Sequence, residues 1–388
     1  MERNKKKRKA VRAGAAALAT IIIVLLLLTP AVQTFLVELV NSPFTPRYPE
    51  SATFSLERSL TVEANGGEII SYDLDICEPA SISQNGYLIQ DVRSVSYSPQ
   101  PSFREPRYGQ RWAGWNGSAI AGNDSMTYKV TYEVTVYTHI WNIDRASSLG
   151  KGDIPSSLKE RYLHDEWNIS SGQSSTESFK IDMTSPSIAA MSESIVGNET
   201  NVYQALKDIY DWMVANVEYS SDVSEGEPQS ALETLQTRKG DCDDQSILFC
   251  SLARAAGIPA WLQMGALYVS ADDRWGGHGW LQAYIPLSSG GGENVTIDVV
   301  NRDFLVFRPN RFVDFTDDGT GAHLADYYYT FQTTFDRNAY SDGKGPVFRE
   351  DYTKVSYEES AKRISKGGVY DLDRVLMLLC TARPRPRT

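Results

Sequence analysis

Cys242, His278 and Asp298 are the residues whose types and surroundings could carry out covalent chemistry, and each stands at a different local signal. Cys242 lies in Arg238-Lys239-Gly240-Asp241-Cys242-Asp243-Asp244. A turn at Gly240 and a polar start at Asp241 there precede an apolar stripe of Ile247, Leu248, Leu252 and Ala255 at near-helical spacing. The pattern predicts a helix with Cys242 in its first turn. Free N–H groups and the helix dipole favour a thiolate at such a place, so the spacing predicts a thiol pKa below the ordinary value of roughly 8.5. His278 stands in Trp275-Gly276-Gly277-His278-Gly279-Trp280, at the entrance of an alternating run, Leu281 to Ile285, that predicts a strand. Val295 to Val299 alternates again and puts Asp298 on the face opposite Val295, Ile297 and Val299. A thiol at a helix start, an imidazole on one strand and a carboxylate on the next could serve as nucleophile, base and orienter. The matching chemistry is attack of sulfur on an amide carbonyl to give a thioester, with backbone N–H groups at the helix start, that of Cys242 included, steadying the oxyanion.

The Arg-Lys-Gly-Asp-Cys-Asp-Asp run, followed by Leu252-Ala253-Arg254-Ala255-Ala256-Gly257-Ile258-Pro259-Ala260, resembles the cysteine motif of the transglutaminase-like superfamily. His278-Gly279-Trp280 and Asp298 resemble its second and third motifs, and the resemblance spans roughly residues 187–305. It implies an α+β, papain-like core in which the cysteine helix packs on an antiparallel sheet carrying the histidine and the aspartate. It also implies a Cys242–His278–Asp298 triad acting on protein or peptide amides. The acyl group would pass to water, as in a cysteine peptidase or amidase, or to a lysine amine, as in a crosslinker; hydrolysis is the favoured expectation. Gly279 departs from the alanine or small apolar residue of many members, and Val299-Val300 from small polar residues. A glycine-rich stretch, Ser288 to Gly292, reads as an expanded hairpin loop between the second and third motifs.

Other chemistries fit less well. The same three residues could ligate zinc, yet the close paired spacings of Cys-x-x-Cys or His-Glu-x-x-His are missing. The pairs Asp243-Asp244, Asp272-Asp273 and Asp317-Asp318 read as solvated charge, since no twelve-residue calcium loop is present. No cofactor is expected. A cell-surface binding or scaffold protein that only recognises peptides is the alternative from another class.

The elements that must position these groups occupy a chain of 388 residues with 41% hydrophobic and 22% charged residues, an ordinary folded composition with room for two or three domains. Residues 1–12 are a basic tail, and 13–37 form an uncharged apolar run long enough to cross a bilayer. The basic flank predicts a cytoplasmic N-terminus with the body outside the cell. Residues 38–54, with Pro43, Pro46 and Pro49, read as a stalk. Residues 55–185 alternate with period two, as in Ile70-Tyr72-Leu74-Ile76 and the even positions from Met126 to Val136, and predict an antiparallel β-sandwich; Trp112 and Trp115 read as packing within it, with an aromatic tip that grips a substrate or glycan as the alternative. The catalytic region is placed at 186–312. It opens on an amphipathic helix from Asn201 to Asn216, with Val202, Leu206, Ile209 and Met213 on one stripe. Residues 313–388 form a tyrosine-rich extension expected to cover a core edge or contact the sandwich. The net charge of −11 argues against nucleic acid as a partner. Of the four cysteines, Cys77 and Cys380 could pair, while Cys250 reads as core.

Overall fold

Every second residue of the strand Ser51–Glu63 (β1) points inward: Ala52, Phe54, Leu56, Arg58, Leu60 and Val62 are all buried. This alternation, together with that of its neighbours, builds a two-sheet sandwich in the computed structural model, which describes residues 46–169, 178–221, 227–341 and 344–365. The remaining strands of the sandwich's N-terminal part are Gly67–Cys77 (β2), Ile82–Gln84 (β3), Tyr87–Ser98 (β4), Phe103–Arg107 (β5), Gln110–Gly122 (β6) and Ser125–Tyr137 (β7). The even row of β7 is inward as predicted from Tyr128 to Val136, with Met126 exposed at its end. In β2 the row breaks at Ile70, which is exposed, while its neighbour Ile69 is buried. Trp112 and Trp115 lie within β6 and are buried in the sandwich core, packed within the β-domain as expected and not at an exposed tip.

A short helix, Ser156–Tyr162 (α1), and a small hairpin of Glu166–Asn168 (β8) and Phe179–Ile181 (β9) lead into the helical layer. Pro186–Val196 (α2), Val202–Asn216 (α3), Ala231–Thr237 (α4) and Cys242–Ala255 (α5) follow. In α3 the stripe Val202, Leu206, Ile209 and Met213 is buried, and the Asn201 side chain accepts the N–H of Gln204 as an N-cap. Helix α5 packs on an antiparallel sheet of Ala260–Val269 (β10), Arg274–Pro286 (β11), Gly292–Asp298 (β12), Asp303–Phe304 (β13) and Arg311–Thr316 (β14), in the order β13-β12-β11-β10-β14. The β11–β12 connection is a glycine turn, with Gly290 and Gly291 at positive φ.

Past β14 come the helix Gly321–Tyr328 (α6) and two strands, Phe331–Phe335 (β15) and Val347–Glu359 (β16). Both strands return to the sandwich: β16 pairs with β1 and β15 with β2, so the sheet orders are β16-β1-β7-β4-β3 and β15-β2-β6-β5. Residues 331–335 and 347–359 of the tyrosine-rich extension are therefore strands of the β-domain's own sheets. Residues 48–364 form one compact unit, in which the edge of β14 faces two glutamines of the sandwich. Gln90 pairs with both backbone groups of Val313, and Gln110 with both of Thr316, which satisfies an edge that would otherwise be open. The expected basic tail, apolar span and most of the stalk lie outside the described residues. Among the described residues no helix is long and apolar enough to cross a membrane.

Candidate active site

Asp241 caps α5, accepting the N–H of Asp244 at 3.4 Å, and the Asp244 carboxylate accepts the N–H of Asp241 in return at 3.1 Å. Cys242 is the first helical residue and half-buried. Asp244, read from sequence as solvated charge, is fully buried; its oxygens take the Gln229 backbone N–H at 2.6 Å and side-chain amide at 2.9 Å. The pair Asp317-Asp318 departs from the same expectation, because Asp317 is buried opposite Arg254. Asp272-Asp273 is exposed, as expected.

His278 sits inside β11, four residues past its start, and not at the entrance. Directly across the ladder lies Gly265, where a Cβ would fall 1.9 Å from the carbonyl oxygen of Phe312. Only glycine lets β14 come this close to β10 beside the histidine. The imidazole is buried, and its Nε2 lies 2.8 Å from Asp298 Oδ2 at the end of β12. The Asn301 side-chain amide lies 3.0 Å from the same nitrogen and donates to Asp298 Oδ2 at 2.9 Å, while the Asn301 backbone N–H donates to Oδ1 at 3.0 Å.

Arg311 on β14 reaches Asp298 Oδ2 through Nη1 at 2.5 Å and Asp303 through Nη2 at 3.0 Å, with its guanidinium over the Trp280 ring. Burial pushes the Asp298 carboxyl up, but the neighbouring His278 and the Arg311 guanidinium outweigh it and hold the carboxyl well below the usual range. An ionised carboxylate can only accept, so Nε2 carries the hydrogen. In the neutral ring, Nδ1 is then the basic nitrogen.

The start of α5 and the residue after His278 lie against each other, and the Gly279 N–H is one of the groups that act on the Cys242 thiol. A Cβ on Gly279 would lie 2.8 Å from Met264 Sδ and 3.3 Å from Asp243 Cβ, so the glycine lets the start of α5 settle on β11. The cysteine segment and the histidine segment thus meet, and the histidine is joined to the aspartate. The thiol departs from expectation in its acidity. Burial first, and then the nearby Asp243 and Asp241 carboxyls, push its pKa well above the ordinary value, and the Gly279 N–H pulls only partly the other way. The favourable helix start is outweighed by desolvation and like charge.

Sequence reasoning missed Arg311, Asn301 and Tyr328. Arg311 opens Arg-Phe-Val-Asp-Phe, a strand pattern with a charge where a fully buried strand would have none, and that was its only signal. The Tyr328 phenol donates to Asp243 Oδ2 at 2.7 Å, a contact no local pattern announces. His164 bonds the Gly319 carbonyl, with its ring nitrogen 2.9 Å from that oxygen. Cys250 is buried in the core as expected; Cys77 is buried and free, and Cys380 lies outside the described residues.

Among the described residues, two clusters bring three ligand-type atoms within 4.8 Å of one another: Asp241-Cys242-Asp243 and Asp317-Asp318-His323. In the second, Gln110 is oriented by its two bonds to Thr316, so its NH₂ faces His323 Nε2 at 3.1 Å. That nitrogen accepts, the proton sits on Nδ1 facing Asp318 at 3.3 Å, and the imidazole has no lone pair to offer an ion there. In the first, both Asp243 oxygens already accept bonds, from the Asp244 N–H and the Tyr328 phenol. A cavity of about 650 Å³, lined by Glu166, Trp167, Phe179 and Tyr329 among others, contains none of the three candidate groups. It touches the site only through Trp167, which stacks on Tyr328 at 4.8 Å.

Residues 189–294 match the family model of the transglutaminase-like superfamily. This segment is a transglutaminase-like domain. The match takes in the cysteine and histidine motifs and ends just before Asp298. The chain is similar over most of its length to the crystal structure of a candidate cysteine protease from Cytophaga hutchinsonii, with TM-score 0.54 and 15% identity, covering 84% of this chain and 98% of that one. At that identity the likeness establishes the fold, sandwich and core together. The periplasmic domain of TgpA from Pseudomonas aeruginosa aligns with TM-score 0.32 and 11% identity over 66% of this chain and 88% of that one. An uncharacterised protein of Haemophilus influenzae is 39% identical over 71 residues, 18% of this chain and 19% of that relative's length.

Proposed function

We propose that this transglutaminase-like protein is a thiol-dependent enzyme that opens amide bonds of proteins or peptides, a cysteine peptidase or amidase in preference to a crosslinking transglutaminase. Cys242 is the nucleophile, His278 the base and Asp298 the orienter. One observation carries the reading: His278 Nε2 is paired with Asp298 Oδ2 at 2.8 Å on the sheet against which Asp243, next to Cys242, packs at Gly279. Nδ1 is then the ring nitrogen available to take the thiol proton. Sulfur attacks the carbonyl carbon, and the Cys242 N–H at the helix start steadies the oxyanion. The imidazolium returns its proton to the leaving amine, and a thioester remains. Water, activated by the same nitrogen, attacks the thioester carbonyl, releases the acid and restores the thiol. Because the thiol rests protonated, proton transfer to His278 accompanies attack.

The body acts outside the cytoplasm on a single-pass anchor at residues 13–37, a reading supported by the basic flank and the apolar run. Protease shaving of intact cells that spares the body would exclude that placement. The test of the chemistry is intact-mass detection of an acyl-enzyme with a peptide library at short times. The adduct should map to Cys242, vanish in Cys242→Ala, and form about 10²–10⁴-fold more slowly in His278→Ala. No adduct and no cleavage across such a library, with tight peptide binding retained, would assign the chain to the peptide-binding class instead.

A further inference from the structure

Asp243 follows the nucleophile directly, and its carboxyl, the Asp241 carboxyl and the Cys242 sulfur lie within 4.8 Å of one another. Burial first, and then the Asp241 carboxyl, push the Asp243 carboxyl well above its usual range, while the Tyr328 phenol pulls it the other way. That phenol is a fixed donor, at 2.7 Å from Asp243 Oδ2. Tyr328 is itself clamped, stacked on Trp167 at 4.8 Å, with its hydroxyl 3.9 Å from Met264 Sδ. It stands on α6, beyond the 189–294 segment that the transglutaminase-like family model covers.

We infer that Tyr328 is a positioning residue for Cys242: by donating to Asp243 it favours the charged form of a carboxyl beside the sulfur, which opposes ionisation of the nucleophile until substrate arrives. The inference rests on the reading of Cys242 as the nucleophile. Its logic is electrostatic: a donor to a carboxylate stabilises the charged form, and a charge within 4.8 Å opposes a second one on sulfur. The other groups around the sulfur are Tyr219 from the segment paired with Gly240, and His278, Gly279 and Asp298 from the sheet. Tyr328 also lies near the thiol itself, so the double variant separates the route through Asp243 from a direct one.

The experiment is the rate of iodoacetamide alkylation of Cys242 against pH, followed by peptide mass spectrometry on the full chain, with near-UV circular dichroism as the check on folding. It needs no substrate, so a protein that turns nothing over is still informative, and failure here is separable from failure of the proposed activity. Asp243→Asn should move the alkylation profile to lower pH by about one unit. Below the midpoint that gives a net gain of roughly threefold, since a tenfold rise in thiolate is partly offset by its weaker nucleophilicity. Tyr328→Phe should move the profile in the same direction, and the double variant should lie no lower than Asp243→Asn alone. The inference is overturned if Tyr328→Phe leaves the profile unmoved or raises it, or if it adds its full shift on the Asp243→Asn background. Should Tyr328→Phe fail to fold, Asp243→Asn decides alone, an unchanged profile again ruling the inference out.

Discussion

At the scale of single residues, the candidate site is a short relay of charges in which Arg311 fixes Asp298 and Asp298 fixes His278. Removing the first member leaves Asp298 and Asp303 buried without their shared cation, although Arg308 still reaches Asp303 at 2.6 Å. Arg311→Gln should therefore lower stability by about 3–5 kcal/mol, measured by urea unfolding, because breaking a buried pair strands a charge. The depressed Asp298 pKa also fixes a pH dependence. The folded-state pKa lies below the unfolded one, so its contribution is complete above the unfolded value near 4 and is lost as pH falls below it. Unfolding free energies measured from pH 6 down to 2.5 should fall more steeply in the wild type than in Asp298→Asn. Equal slopes would mean that the carboxyl is not held in its ionised form by its partners.

At the scale of elements, the site depends on how closely α5 settles on β11. Gly279→Ala places a methyl 2.8 Å from Met264 Sδ and 3.3 Å from Asp243 Cβ, so the sulfur or the helix start must give way. Overpacking of this kind costs about 1–3 kcal/mol. The expected result is a lower melting temperature and slower acyl-enzyme formation together, and Met264→Ala in the same chain should recover part of both. Stability that falls while the acylation rate holds would show that the contact is packing alone. The helix itself needs its cap: Asp241→Ala removes the bond to the Asp244 N–H and should cost about 1 kcal/mol, read as a shifted denaturation midpoint.

For the molecule as a whole, the sandwich and the transglutaminase-like domain share a boundary in which buried charges lie beside aromatic packing such as Phe54 on Trp275. Arg58 of β1 pairs with Asp314 of β14 at 3.1 Å and with Glu350 of β16 at 2.8 Å, all within the body of residues 48–364. The sheet's edge strand β14, the Arg311 it carries and the α6 helix with Tyr328 all come from beyond residue 310. A fragment of residues 186–310 should accordingly fail to fold, giving insoluble or rapidly proteolysed material, whereas residues 46–365 should unfold in one cooperative transition. A soluble fragment that resists limited proteolysis would contradict this dependence.

The three candidate groups were legible because each rests on local patterning. A capped helix and two strands can be read from local spacings of two and 3.6, although residues 244–254 of α5 and 295–298 of β12 are buried throughout and keep no solvent face. Asp244 and Asp317 misled because acidic doublets are ordinarily solvated, and only burial against Gln229 and Arg254 gives them another role. The raised thiol pKa, the Arg311 relay, the Tyr328 bond and the return of β15 and β16 to the sandwich were decided by the tertiary structure alone. Each joins residues far apart in the chain, and no periodicity encodes which distant side chain removes water from a site or brings a charge to it. Sequence determined which atoms can react and on which elements they stand; the packed structure set the field in which they do so, since desolvation and charge act through space and not along the chain.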